Sequence, residues 1–152
     1  MDARETLSQL DNLMPIFKER LAAGQSVIIM PRGISMLPMI RQGVDSVTLS
    51  PLPDKLKKYD LPLYQRSSGQ YVLHRIVAVG DTYTCIGDNQ FQYEKGLEHS
   101  QMIAVVTSFT RGKRKISVGS LPYRIYCRFW HHSRPLRHFW YRGSNWIRRH
   151  LP

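Results

Sequence analysis

The order of apolar and polar positions divides the chain into a helical start, a β body and a helical end. Leu7, Leu10, Leu13, Met14, Phe17 and Leu21 recur at three- and four-residue spacing, the signature of one helix face. They predict an amphipathic helix over residues 5–22, closed by Gly24. A strand is expected at Ser26–Met30, so no second helix follows to build a helix-turn-helix. The next stretch, Pro31-Arg32-Gly33-Ile34-Ser35-Met36-Leu37-Pro38, is too rich in proline and glycine for a regular element. Strands are predicted at Val44–Leu49 and Tyr59–Arg66, with a Pro- and Lys-rich loop over residues 50–58 between them. After a turn at Ser67-Ser68-Gly69, Gln70–Val79 reads as one long strand. Tyr71–Val79 is apolar on both faces, which predicts a central strand buried on both sides. Gly80-Asp81 suits a two-residue hairpin turn into Thr82–Ile86. A polar loop over residues 87–100 leads to a further strand, Met102–Phe109.

Composition adds little until charge is placed along the chain. With 152 residues, 42% hydrophobic and 22% charged, the protein is of one-domain size and globular rather than disordered or fibrous. The formal net charge is +11. Residues 1–98 hold 11 Lys and Arg against 11 Asp and Glu, whereas residues 99–152 hold 11 Lys and Arg and no acid. The body is neutral and the end of the chain carries the whole excess. Such a surface attracts anionic lipid, nucleic acid or an acidic partner. Two cysteines, Cys85 and Cys127, lack metal-type spacing and read as free thiols of a reducing compartment. The start, Met1-Asp2-Ala3-Arg4-Glu5, has no secretory-signal pattern. The longest apolar runs, near Val27–Pro31 and Met102–Val106, fall well short of the roughly 20 residues needed to span a bilayer. The expectation is a cytoplasmic chain, with peripheral attachment to the inner face of the membrane as the alternative.

Two residues attract attention as chemistry. Ser35 lies between Gly33 and Pro38, in a loop able to present a hydroxyl and to aim backbone N–H groups at a developing oxyanion. Serine is a poor nucleophile without a base to take its proton. His74, within Tyr71-Val72-Leu73-His74-Arg75-Ile76-Val77, can act as that base near neutrality. Asp88, in Gly87-Asp88-Asn89, and Glu94, six residues later, are each able to hold an imidazole in its working tautomer. Taken singly, each has an ordinary alternative: a turn serine, a structural strand histidine, a Gly-Asp-Asn turn. No cluster with metal-ligand spacing occurs, so neither metal nor cofactor is expected. His131, His132 and His138 in the tail are not read as a metal site.

Gly33-x-Ser35-Met36-x-Pro38, Tyr71-Val72-Leu73-His74-Arg75-Ile76-Val77 and Gly87-Asp88-Asn89, in that order, resemble the S24/S26 serine peptidase superfamily of type I signal peptidases and LexA-like proteins. The resemblance covers about residues 26–110. It implies that Ser35 is the nucleophile. Histidine at position 74 implies the His-base branch, similar to the sporulating-bacterial and endoplasmic-reticulum signal peptidases. In that branch two carboxylates are functional; Asp88 matches the first, and Glu94 stands where the second is Asp. The implied fold is mainly β: a partly open barrel with an N-terminal helix and a basic, aromatic, helical C-terminal tail. A peptide or protein substrate would lie extended beside an edge strand. Two departures are visible: the family's membrane anchor has no counterpart, and Gly43-Val44-Asp45 carries one residue more than the family's Gly-Asp. The expected organisation is a helix over residues 1–25, a peptidase-like domain over 26–110 and the tail over 111–152. The expected activity is serine endopeptidase action on a leader- or signal-like peptide. The alternatives are LexA-like self-cleavage, for which Ala23-Gly24 is the candidate bond, and a non-catalytic module binding a peptide or a membrane surface.

The tail interleaves aromatic and basic residues. Tyr123, Tyr126 and Trp130 share a helical face, with Arg124 and Arg128 on another, before Pro135 and Gly143 break the run. Trp130, Trp140, Arg128 and Arg137 are the candidates for contact with an anionic membrane. Packing of the aromatics onto the barrel is an equal expectation, and nucleic acid ranks below both.

Overall fold

The structure, a computed structural model, describes residues 3–141. A helix, α1 (Ala3–Ala22), is followed by β1 (Val27–Ile29), β2 (Val47–Ser50), β3 (Pro62–Gln65), β4 (Tyr71–Leu73), β5 (Arg75–Val79), β6 (Tyr83–Ile86), β7 (Glu94–Leu97), a 3-10 turn at His99–Gln101, β8 (Met102–Arg111), β9 (Arg114–Ser117) and α2 (Leu121–His132). Residues 134–141 are helical again and form α3. Among the described residues the fold is mainly β, a curled and open half-barrel with three helices.

The long strand β8 organises the larger sheet, whose order is β1-β2-β8-β3-β4. Phe109 pairs with Val47 of β2 on one side and with Ile116 of β9 on the other, so β9 extends the edge that β3 occupies lower down. Strands β5, β6 and β7 form a separate antiparallel sheet. The core has two parts. Met14 and Leu21 of α1 join Val47, Leu49, Leu63, Val106 and Phe109 under the larger sheet, closed by Tyr123 and Cys127 of α2. Tyr64, Ile76, Tyr83, Cys85 and Met102 fill the space between the sheets. Burial of such side chains contributes about 1.5–3 kcal/mol each.

Alternation along β3 explains how one strand serves both parts, with Leu63 on one face and Tyr64 on the other. The strand buried on both faces is therefore β3, not Tyr71–Val79 as the apolar run suggests. That run is cut in two: β4 is an edge of the larger sheet, β5 an edge of the smaller one, and His74 is the residue between them. The basic stretch at residues 111–117 does not begin a separate tail. It turns at Gly112 and returns as β9 along β8.

Candidate active site

The serine loop is held at its mouth and its base. The Gly43 N–H donates to the Pro31 carbonyl, and the Gly33 N–H to Gln42 Oε1 at 2.8 Å. Gly33 has φ of +91°, a conformation that favours glycine. Met36 and Ile40 are buried in the core and anchor the loop around the half-buried Ser35. At the base, Asp45 is fully buried. It accepts from the Arg41 backbone N–H and guanidinium at 2.8–2.9 Å and from the Gly112 N–H at 3.2 Å. The Arg41 guanidinium holds the Asp45 carboxyl far below the usual carboxylate range, against the opposing effect of burial.

A second loop is pressed against the first. The Asn89 N–H donates to the Ser35 carbonyl at 2.8 Å, and the Asn89 side chain to the Ile34 carbonyl at 3.3 Å. A Cβ placed on Gly87 would lie 2.8 Å from the Ser35 carbonyl oxygen and 3.0 Å from Ser35 Cβ. Only glycine fits there, because the two backbones touch. Strand β6 delivers this loop: Ile86 pairs with Arg75, so residues 87–89 leave the sheet beside the start of β5.

His74 is 2% exposed. Its Nδ1 lies 3.0 Å from Glu94 Oε1 and 3.2 Å from the Tyr64 hydroxyl. A carboxylate facing Nδ1 requires the proton on that nitrogen, which leaves Nε2 as the acceptor of the neutral ring. Burial pushes the His74 pKa below its ordinary value, and the nearby Glu94 charge only partly offsets this. Glu94 is in turn gripped by the Arg66 guanidinium, with Nε at 2.9 Å from Oε2 and a second bond from Nη2 to Oε1. Burial would raise the Glu94 carboxyl, but Arg66 and the Tyr64 hydroxyl outweigh it and hold it low. Register brings Glu94 here, since Cys85 of β6 pairs with Glu94 of β7.

Both carboxylates expected to orient the imidazole are placed, and they divide. Glu94 reaches His74. Asp88 is fully buried and both its oxygens are taken by Arg75, with Nε at 2.8 Å and Nη2 at 2.7 Å. Arg75 also donates to the Tyr123 hydroxyl, Cys127 Sγ and the Tyr59 carbonyl. Burial alone would depress this guanidinium, yet the Asp88 charge keeps it well above its usual pKa. Asp88 therefore fixes the loop that supports Ser35 rather than the ring of His74. Its own carbonyl accepts from Trp130 Nε1 at 2.8 Å and from Arg137 at 3.3 Å.

A chain of contacts thus runs from Ser35 to Gly87–Asn89, through the Asp88–Arg75 pair, to His74. Among the described residues, no hydrogen bond engages the Ser35 hydroxyl or N–H, or His74 Nε2. An open cleft of about 620 Å³, lined by Arg66, Gln90, Phe91, Gln92 and Glu94, lies on the outer side of the carboxylate. A larger cavity of about 800 Å³ is lined by α1 residues, β3 and the 3-10 turn, with neither Ser35 nor His74 in its wall.

Sequence reasoning missed Tyr64 and Arg66, which complete the histidine's surroundings. Nothing in their local pattern marks them, because they are brought in by the pairing of β3 with β4. Among the described residues there is no group of His, Cys, Asp and Glu able to hold a metal ion, and no helix long and apolar enough to cross a membrane. Comparison with family models, curated proteins and solved structures finds no match to this chain.

Proposed function

We propose that the protein is a serine endopeptidase of the signal-peptidase and LexA-like kind, acting on a leader- or signal-like peptide through Ser35 and His74. The observation that carries this reading is the Tyr64–His74–Glu94–Arg66 arrangement. It fixes the imidazole with Nδ1 protonated and Nε2 free, the state a general base requires. In this reading Nε2 takes the Ser35 proton as Oγ attacks the peptide carbonyl. The resulting imidazolium, stabilised by Glu94, returns the proton to the leaving amine. Water then hydrolyses the acyl-enzyme with the same base. The unengaged Ser35 N–H is a donor for the oxyanion.

The edge strand β1 supports an extended substrate. It runs into the serine loop, it has one free edge, and Ile28 and Met30 on or beside it are exposed. A peptide added along that edge would reach Ser35 by strand pairing. Ala23-Gly24 is not favoured as a self-cleavage site. The Ala23 and Gly24 N–H groups are bonded to the Glu19 and Leu21 carbonyls at the end of α1, so that bond is held in a helix cap rather than extended.

The test is digestion of a diverse peptide mixture by the wild type, Ser35→Ala and His74→Gln, read by mass spectrometry. Wild-type cleavage should fall by about 10³-fold or more in each variant. Retained cleavage in Ser35→Ala would overturn the assignment, as would a wild type that cuts nothing with or without lipid vesicles.

A further inference from the structure

Of the four tail residues expected to meet a membrane, the fold turns two inward. Trp130 and Arg137 sit on the Asp88 carbonyl, and Arg137 stacks 3.7 Å above the Trp130 ring. A different set is left outside. On α2, Tyr123 and Cys127 are buried, and the opposite side carries Leu121, Ile125 and Phe129 at four-residue spacing, 66%, 57% and 67% exposed. Arg124 and Arg128 border this stripe and are exposed. On α3, Leu136, Phe139 and Trp140 are 76%, 82% and 79% exposed.

Six large apolar side chains on two short helices form more than the scattered exposure of a soluble surface. Charge narrows what can cover them. Residues 99–152 contain no Asp or Glu, so the face repels a second copy of itself. Single-stranded nucleic acid would use rings for stacking, yet half of this set is aliphatic: Leu121, Ile125 and Leu136. Apolar and aromatic groups bordered by arginine, with no acid, match the boundary of an anionic bilayer.

We infer that α2 and α3 form a surface that lies on an anionic lipid bilayer, with these six side chains entering the acyl boundary and Arg124 and Arg128 meeting headgroup phosphates. The inference does not rest on catalysis, and Ser35→Ala should bind lipid as the wild type does. The same helices also grip the Gly87–Asn89 loop through Trp130, Arg134 and Arg137. Lipid contact would therefore place the candidate active site at the membrane surface.

The experiment is co-sedimentation of the full chain with vesicles of phosphatidylcholine alone and of phosphatidylcholine mixed with phosphatidylglycerol, alongside tryptophan emission. All three tryptophans, Trp130, Trp140 and Trp146, lie in this end of the chain, so emission reports on it alone. The expected result is binding to the anionic vesicles with a blue shift, weakened by salt. The double variant Ile125→Glu/Phe129→Glu should lose at least about tenfold in binding, with its melting transition unchanged because both positions are exposed. The inference is overturned by no binding to anionic vesicles, by equal binding to neutral ones, or by a double variant that binds as well as the wild type. A concentration-dependent dimer abolished by the double variant would assign the face to a second copy instead. Tighter retention by single-stranded RNA than by vesicles would assign it to nucleic acid.

Discussion

His74 and Arg75 are neighbours in the chain, each faces a carboxylate, and their surroundings differ in almost every other respect. The Arg75–Asp88 pair is sealed, at 2% and 0% side-chain exposure, and capped by Tyr123, Cys127 and Trp130. The Glu94 that faces His74 is 21% exposed, and its partner Arg66 34%. Burial lowers the histidine's pKa, so the ring is neutral near pH 7 and free to take up a proton. The same physical cause, acting on arginine, is overridden by a bidentate anion, so Arg75 keeps its charge. Burial therefore leaves the imidazole neutral and the guanidinium charged. The break between β4 and β5 makes this possible, because it points adjacent residues into the environments of two different sheets.

Removing an anion from each pair in turn sharpens the contrast. Asp88→Ala strands a buried guanidinium and should cost about 3–5 kcal/mol in chemical denaturation. A loss below about 1 kcal/mol would mean that water reaches Arg75 and that the two pairs are not distinct. Glu94→Gln keeps the side chain's shape and leaves Arg66 within reach of water, so it should cost less, about 1–2 kcal/mol, while lowering kcat by on the order of 10²-fold or more. If stability and activity fell together in both variants, the division of labour would be lost.

Gly87→Ala tests the seam between the two regions. The new methyl has no room against Ser35, so a loss of about 1–3 kcal/mol is expected, together with reduced activity as the serine loop is pushed from its seat. The pH dependence carries the smallest effect. With neutral His74 as the base of the proposed reaction, the acid limb of kcat/KM should fall below the ordinary imidazole value of about 6.5. In Glu94→Gln it should move lower still, because the anion that favours the imidazolium is gone. The sign for stability follows from the same depression. Above about pH 6.5 the group contributes nothing, and as pH falls below that value the unfolded chain binds the proton first, so the folded state loses stability. A limb above 6.5 would contradict the burial argument.

Much of this was legible in the sequence where local pattern determines structure. The spacing of Met14, Phe17 and Leu21 gave α1, and the Gly33–Pro38 stretch marked a loop. What pattern could not show was where a strand leaves one sheet for another. Tyr71–Val79 places apolar residues on both faces, and the polar pair His74-Arg75 inside it does not by itself say that the chain changes sheets there. Strand β7 was hidden because Glu94-Lys95-Gly96-Leu97 has no apolar alternation, and β9 because Arg114-Lys115-Ile116-Ser117 is too basic to look like sheet. The roles of Asp88 and Glu94 were open for the same reason: partner choice depends on the register of β6 with its neighbours. On α2, the shared face of Tyr123, Tyr126 and Trp130 was visible, but which face packs inward was not.

The bond from the Asn89 amide to the Ser35 carbonyl gives the protein an internal clock. That amide can trade its hydrogen for deuterium only when the two loops part. Its exchange rate, set beside that of amides in β8, therefore records how often the Ser35 loop leaves its seat while the rest of the half-barrel stays folded. A substrate that binds across the serine loop should slow that clock without touching the others.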